Sequence, residues 1–296
     1  MNLEAKTIER GACGIGGKRA AIWLIVFILA LLVYQIASAA PNWQETLSKE
    51  PAGDFPPLRP AHGTYVFGWS GFTAATAEVQ FTRPSPDRFQ IHGSGRTVGL
   101  ARALWRYDVD YRATANATNL RPIEATQDDA YRSKKVSTHL AFTGTGVRRS
   151  RTETPGPSSG KPKDFSFPNL FDLLTSMLYL RSQPLQEHSV YRVVVYPATN
   201  AYLATATVLG REKVSVRAGS YNAIKIDLQL KRIGKDFDLQ PHRKFRRATI
   251  WVADDPDRIV LRIEAQVFVG TVFAELQSVK FDQPRLRAPA EGPNES

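Results

Sequence analysis

Alternation of apolar and polar residues with a period of two is the feature that most constrains the fold of this chain. Every second residue in 224–231 is aliphatic while the residues between are charged or polar, and nearly the same pattern returns in 259–267. Successive side chains of a strand point to opposite faces of its sheet, so the pattern predicts antiparallel strands with one buried and one solvated face.

The stretch 210–226 looks like a site at first, because it combines charged residues with a glycine turn. Val214 and Val216 alternate with polar residues before the turn sequence 217–220, and the apolar alternation resumes after it. This arrangement predicts a β-hairpin whose charged residues, including Glu212 and Lys213, lie on the solvent side. We assign them no catalytic role.

Two segments depart from the strand pattern. The polar stretch 152–165 is rich in Pro, Gly and Ser and predicts a mobile loop. The stretch 169–181 predicts the best helix, with Asn169 as its cap and Asp172 in its first turn. A shorter helix is predicted over 98–105, and further strands are predicted at 65–69, 75–81, 89–91, 106–113, 131–142, 189–196 and 201–209.

The first forty residues form an export signal rather than part of the fold. Lys18 and Arg19 precede an unbroken apolar run, 20–34, and the small residues Ala37 and Ala39 follow it. This is the pattern of a secretory signal peptide cleaved after Ala39. An uncleaved membrane anchor is the alternative, and membrane contact is expected only through such an anchor. Both place the rest of the chain in the periplasm, free or secreted in the first case and tethered to the inner membrane in the second.

Charge and cysteine usage limit the partners. The chain carries a net charge of +11, and its only cysteine, Cys13, precedes the apolar run. Removal of residues 1–39 leaves a net charge of +9 and no thiol. Export argues against nucleic acid as the partner, so anionic envelope material is the better match to this charge. A generally basic, soluble surface is the alternative.

No stretch carries a recognisable catalytic or metal-binding motif. The histidines lack metal-ligand spacing, and 92–97 lacks the lysine of a phosphate-binding loop. The three aspartates in 253–258 lack the spacing of a calcium loop and fit a tight turn. We therefore expect no metal, no cofactor and no enzyme activity, and an uncharacterised hydrolase is the least favoured reading.

Four segments in order, 97–122, 170–181, 210–226 and 250–276, resemble a family of exported bacterial proteins known as domain of unknown function 3108. The family has no assigned reaction. The resemblance implies a curved sheet around a helix, similar to the half-barrels of periplasmic lipoprotein carriers. Anchored members of the carrier group have a lipidated cysteine after the leader, which this chain lacks.

Together these observations predict a mainly β fold: a curved antiparallel sheet, or half-barrel, with one long helix packed on its concave face. We divide the chain into the leader (1–39), a proline-rich linker (40–61), one β-rich domain (62–282) and a disordered tail (283–296). The sequence does not determine the oligomeric state.

The expected function is non-catalytic binding of an amphipathic or anionic envelope component, such as a lipid, a lipoprotein segment or a glycan. The alternative is a module that docks envelope proteins and has a filled core without a pocket. Candidate ligand-binding residues form two sets. On the concave face, Trp105, Tyr179 and Trp251 would line an apolar pocket, with Arg181 at the helix end as its polar group. On a hairpin rim, the basic candidates are Arg243, Lys244 and Arg246.

Overall fold

The structure is a computed structural model that describes residues 42–53, 59–156, 160–242, 245–267 and 270–282. Of residues 245 and 246 only the backbone is described. The chain divides into two compact units, Met1–Thr46 and Leu47–Ser296. In the first, the described residues form one short 3-10 helix, Trp43–Thr46. The predicted leader and tail lie outside the described residues.

The second unit is mainly β. Its two helices among the described residues are α1 (Gly99–Leu104) and α2 (Leu173–Ser182). The strands are β1 (Ala61–Trp69), β2 (Phe72–Ser85), β3 (Arg88–Thr97), β4 (Tyr107–Asn116), β5 (Pro122–Tyr131), β6 (Lys135–Thr143), β7 (Gly146–Thr154), β8 (Gly160–Ser166), β9 (Val190–Val195), β10 (Tyr202–Val216), β11 (Gly219–Ile233), β12 (Leu239–Pro241), β13 (Phe245–Ala253), β14 (Val260–Val267) and β15 (Thr271–Phe281).

All these strands belong to one antiparallel sheet with the order β8-β7-β6-β5-β4-β3-β2-β1-β15-β14-β13-β11-β10-β9, and β12 pairs with β11 beside β13. Chain neighbours are sheet neighbours almost throughout, and the pairing of β1 with β15 joins the two halves. Among the described strands, β8 and β9 are the two ends and do not pair with each other, so the sheet is open.

The helix α2 packs against both halves of the sheet. Leu178 lies in a core cluster with Phe81 and Ile91, from β2 and β3. Leu180, two residues on, lies in a second cluster with Ile226, from β11, and other residues of β10 and β13. One helix can contact both halves only if the sheet bends around it, which confirms the expected mainly β architecture with a helix on the inner face.

The predicted long helix is wrong in its length. The helix has ten residues and begins at Leu173 because Asp172, with extended backbone, accepts hydrogen bonds from the amides of Leu174 and Thr175. Asn169 has a φ of 58° and forms a turn instead of the cap. Phe171, within the predicted helix, instead forms an isolated β-bridge with Val195 of β9, and its side chain is buried.

The predicted mobile loop at 152–165 is wrong in most of its extent. Strand β7 continues to Thr154, and β8 starts at Gly160 and pairs with β7. The guanidinium of Arg148 binds the carboxylate of Asp164 across the pair, 2.9 Å apart. Because β8 is an edge strand with both faces largely exposed, its polar composition imitates a loop. The stretch predicted as one strand, 131–142, is likewise the end of β5, a turn and β6.

Part of the predicted linker is tied to the fold. The amide of Ser48 donates to the Arg192 carbonyl of β9 (2.9 Å), and the amide of Arg192 donates to Ser48 Oγ (2.9 Å). The hydroxyl of Tyr179 donates to the Glu50 carbonyl (2.8 Å), and the amide of Gly53 donates to Ser182 Oγ (3.1 Å). We call residues 48–53 the strap, because they connect the edge of β9 with the end of α2.

The three-aspartate segment forms the predicted turn between β13 and β14, and it also holds the C-terminus of α2. The guanidinium of Arg258 donates to the carbonyls of Arg181 (2.8 Å) and Gln183, which are left without helical partners at this end. Asp257 accepts from Arg59 (2.9 Å) through its carboxylate and from Arg181 through its carbonyl. The turn therefore fixes the position of the helix.

Candidate functional site

Six large apolar side chains are exposed at one end of the sheet. Leu104 is 77% exposed, Leu100 and Phe72 are each 76% exposed, and Trp105 is 58% exposed. Such exposure of a cluster of large apolar groups is uncommon on a soluble surface and marks an interaction site. We call this set the apolar rim; it consists of Phe67, Trp69, Phe72, Leu100, Leu104 and Trp105.

Local turn chemistry brings the rim together. Trp69 and Phe72 are paired across a two-residue hairpin turn at Ser70 and Gly71, whose φ angles are 47° and 89°. Positive φ at both positions is typical of the type I′ turn that joins tight hairpins. The neighbouring α1 follows β3 directly, and the amide of Val98 donates to the Ala74 carbonyl of β2 (2.9 Å).

Polar contacts, rather than a buried apolar face, hold α1 in place. Thr97 Oγ donates to the Trp105 carbonyl (3.1 Å) and accepts from the Tyr107 amide (3.1 Å). Arg102 binds the carboxylate of Asp108, 2.7 Å apart. None of the residues of α1 is buried. The helix is therefore anchored while its leucines remain available to another molecule.

Trp105 is supported from below by an aromatic stack. Its ring lies 5.2 Å from that of Tyr107 with an interplanar angle of 5°, and Tyr107 lies 5.1 Å from Tyr131. The Tyr107 hydroxyl donates to the buried carboxylate of Asp129 at 2.6 Å. Burial and this carboxylate raise the pKa of Tyr107, so its hydroxyl stays a donor. The rim thus has a rigid base.

An apolar strip of small residues leads from the rim toward α2. The residues are half-buried and lie on the face of the sheet that α2 covers further along, since they alternate with outward residues such as Thr76 and Arg96. A Cβ built on Gly93, next along this face, would lie 4.0 Å from Leu174 of α2. We call this strip the apolar floor; it consists of Ala75, Ala77, Gly95 and Val109.

Arginines surround the rim. Arg106 follows Trp105 directly and is exposed. Arg132, also exposed, donates to the Ala103 carbonyl of α1 (2.7 Å), which fixes its guanidinium beside the leucines. An exposed apolar surface with adjacent cations is the pattern of a site for amphipathic ligands with anionic groups.

The candidate residues predicted on the concave face are not brought together. Trp105 belongs to the rim, whereas the Tyr179 ring packs in the core, 5.0 Å from Phe171. Arg181 is half-buried against the turn after β13, and desolvation of its guanidinium lowers its pKa to about 10. Trp251 is buried, and its indole Nε1 donates to Glu212 at 2.6 Å.

Of the three basic candidates, Arg243 and Lys244 lie outside the described residues. Arg246 is described only by its backbone, in a bulge of β13 next to the end of β14. Arg247, their described neighbour, binds the buried carboxylate of Asp227 through its Nε.

Sequence reasoning missed most of the rim. Phe72, Leu100 and Leu104 lie at a hairpin turn or in a short helix, where polar residues usually predominate. Large apolar residues at turn positions were the available signal. Among the described residues, no group of three or more potential ligands is placed to hold a metal ion. No helix in the described ranges has the length and apolar character needed to cross a membrane.

The matches to solved structures have low sequence identity. A protein of domain of unknown function DUF1849 from Brucella abortus, described as β-barrel-like, aligns with a TM-score of 0.50 at 10% identity over 76% of this chain and 98% of its own. A provisionally assigned lipoprotein from Parabacteroides distasonis aligns with a TM-score of 0.32 at 9% identity over 78% of this chain and 100% of its own. A provisionally assigned exported protein with a YmcC-like fold from Bacteroides fragilis gives 0.30 at 9% identity, over 77% and 99%.

The sequence comparisons agree with the resemblance noted above. No curated protein matches the chain. The model of one family of unknown function matches residues 64–277, which includes most of the described sheet, both helices and the floor. The chain therefore belongs to the protein family of unknown function DUF3108.

Proposed function

We propose that this protein acts in the bacterial envelope by binding, not by catalysis, and that its ligand is an anionic amphipathic lipid. The apolar rim is the observation that carries the proposal. In this view the rim contacts the acyl region, the apolar floor receives part of a chain, and the arginines beside α1 contact the head group. The export signal predicted from residues 1–39 supports a location in the periplasm, either free or tethered.

The energetics of the rim favour insertion into an apolar medium. Transfer of a fully exposed leucine side chain out of water contributes about 2 kcal/mol. Leu100 and Leu104 are both more than three-quarters exposed, so each can contribute most of this amount. The rim also contains Trp69 and Trp105, and tryptophan is enriched at the interface between lipid and water.

The position of α2 directs the ligand to the end of the sheet rather than to its centre. Leu178 and Leu180 are buried in the two core clusters, so this part of the concave face is filled. The floor, by contrast, is only half-buried. Binding at the rim therefore requires no opening of the core.

Flotation with lipid vesicles tests the proposal. The probes are vesicles of phosphatidylcholine alone and of phosphatidylcholine mixed with phosphatidylglycerol. We expect the mixed vesicles to bind the full chain more tightly, and the double variant Leu100→Ser/Leu104→Ser to bind them at least tenfold more weakly, since about 1.4 kcal/mol corresponds to tenfold. All variants carry the same N-terminus, so its contribution cancels.

Val190→Ser/Leu209→Ser is the matched control, because these apolar residues are 38% and 39% exposed and lie on β9 and β10, away from the rim. The control should bind vesicles like the wild type. Equal binding by the rim variant and the wild type would refute the proposal. Rim-dependent capture of an envelope protein without any vesicle binding would indicate the docking module instead.

A further inference from the structure

The face of the sheet opposite α2 carries a long polar groove, separate from the rim. Two adjoining hollows of about 550 and 440 Å3 meet at Asp108 and Val109 and form it. The first extends from Gln277 of β15 to β4, and the second from β4 to Thr152 of β7. Neighbouring strands lie about 4.8 Å apart, so eight strands give a groove of about 30 Å.

Strand alternation assigns the groove to the outer face. Ile91 and Val79 pack with Leu178 on the inner face. Side chains an odd number of residues away on the same strands, such as Glu78 and Ser94, must point outward, and these line the groove. The floor residues Ala77, Gly95 and Val109 also border the first hollow, but by the same alternation they belong to the α2 face. In β7 the lining residues are Thr152 and Thr154, whereas the residue between them does not contribute, as expected for one face.

The charges of the groove are balanced within the protein. Asp110 binds His92 (2.6 Å) and Arg112 (2.9 Å). Asp108 binds Arg102 of α1 (2.7 Å), which lowers the pKa of Asp108 and keeps it ionised. Glu78 lies 3.4 Å from His62. Asp108 and Asp110 each have an arginine partner. The other outward carboxylates, Glu78 and Asp128, are matched in number by Arg96 and Lys135, so the groove has little net charge to attract a polyanion or a polycation.

What the groove offers instead is a high density of hydrogen-bonding groups. Arg96 and Lys135 supply donors, and Gln277 supplies an amide. The paired carboxylates retain free acceptor positions, since each carboxylate has about four lone-pair sites. Six serine and threonine side chains line the two hollows: Thr64, Thr76, Ser94, Ser137, Thr152 and Thr154.

We infer that this groove binds an extended, uncharged, polyhydroxylated chain, that is, an oligosaccharide. Sugar hydroxyls both donate and accept, as the serine and threonine hydroxyls do, so they match a surface where donors and acceptors alternate. The outward lining side chains are polar apart from Ala130, which excludes a lipid chain. The extent of the groove across neighbouring strands fits a linear polymer.

Titration of the full chain with chitohexaose and with maltohexaose, followed by calorimetry and by amide NMR shifts, tests this inference. We expect at least one of the two to bind saturably, with shifts concentrated in β2 to β6. Ser94→Trp and Ser137→Trp place a large ring in the groove and should each weaken binding at least tenfold. Thr114→Trp is the matched control, because Thr114 is an outward residue of β4 that does not line the groove.

The outcomes separate the groove from the rim and from other ligands. Retained sugar binding by Leu100→Ser/Leu104→Ser, and little change in 0.5 M salt, support an uncharged ligand at an independent site. Absence of binding to both sugars, or equal loss in Thr114→Trp and the groove variants, overturns the inference. Stronger binding of spermine or heparin that salt abolishes also overturns it, because the groove would then select charge.

Discussion

The hydroxyl of Tyr111, on β4, donates a hydrogen bond to the buried carboxylate of Asp172 at a distance of 3.0 Å. The same carboxylate accepts from the Leu174 amide (2.8 Å) and from Thr175 Oγ (2.6 Å). One side chain therefore caps α2 and attaches its first turn to the sheet. This contact sets the distance of the helix from β4 and, with it, the extent of the open floor.

Replacement of Asp172 by alanine should destabilise the fold severely. The change leaves the hydroxyls of Tyr111 and Thr175 and the amides of Leu174 and Thr175 without their acceptor. Each buried donor that loses its acceptor costs about 1–3 kcal/mol. We expect the free energy of unfolding to fall by at least about 3 kcal/mol, as measured by urea denaturation. Asp164→Ala, which removes an exposed carboxylate, should change it little.

The stability contribution of Asp172 should also depend on pH. Burial raises the pKa of this carboxyl above its ordinary value of 3.8, so the folded state holds the proton more tightly than the unfolded chain. Stability from this group is present below 3.8 and declines as the pH rises through the folded-state pKa. The wild type should therefore lose stability relative to Asp172→Asn as the pH is raised above 3.8. Parallel stability curves for the two proteins would contradict this.

A methyl group at Gly53 should displace the strap. A Cβ at this position would lie 2.1 Å from the Ser182 carbonyl oxygen. Because this oxygen belongs to the backbone, no side-chain rotation can relieve the clash. We expect Gly53→Ala to cost about 1–3 kcal/mol in thermal unfolding and to speed hydrogen exchange at the Arg192 amide. Gly144→Ala is the control, since its Cβ would have no atom within 4 Å. Equal effects of the two changes would show that the strap is not held as described.

Removal of the guanidinium of Arg258 should loosen the end of α2. Arg258→Ala leaves the carbonyls of Arg181 and Gln183 without their donor, and a charged hydrogen bond contributes about 1.5–3 kcal/mol. We expect a loss of about 2–3 kcal/mol in chemical denaturation, with partial recovery in Arg258→Lys. Arg88→Ala, at an exposed pair, should be neutral; an equal loss there would point to a general charge effect.

Tryptophan fluorescence should report insertion of the rim. Trp105 is exposed and should shift to shorter wavelength when vesicles containing phosphatidylglycerol are added, whereas Trp251 is already buried. Trp105→Phe should therefore reduce the shift, and Trp251→Phe should leave it unchanged. The reverse pattern would place the lipid near the β13 side of the sheet.

The strand register was predictable wherever one face is buried and the other solvated. Alternation from Ile224 onward located β11, and the Arg-Ala-Gly-Ser turn located the hairpin with β10. The pattern failed at β8, an edge strand with two wet faces, and at β5, where charged residues such as Asp128 and Asp129 obscure the alternation. The alternation of apolar and polar residues indicates which side chains are buried, and few side chains of these two strands are buried.

The candidate site was less predictable because it depends on which apolar residues stay uncovered. Tyr179 and Leu104 are both apolar residues in helical segments, but the first is 2% exposed and the second 77%. The difference arises from segments distant in sequence. The strap covers Tyr179, whereas no comparable segment among the described residues covers α1. A local pattern cannot contain that information.

The strap limits how far the N-terminus of this protein can be truncated. The family match starts at residue 64, yet Ser48 already pairs with Arg192, and Gly53 already contacts Ser182. A version trimmed to the residues of the family match would expose peptide groups at the edge of β9, and exposed strand edges pair with other chains. The shortest soluble recombinant form should accordingly begin upstream of Ser48. Aggregation of shorter forms would then result from the loss of the strap at the edge of β9 rather than from a defect of the sheet itself.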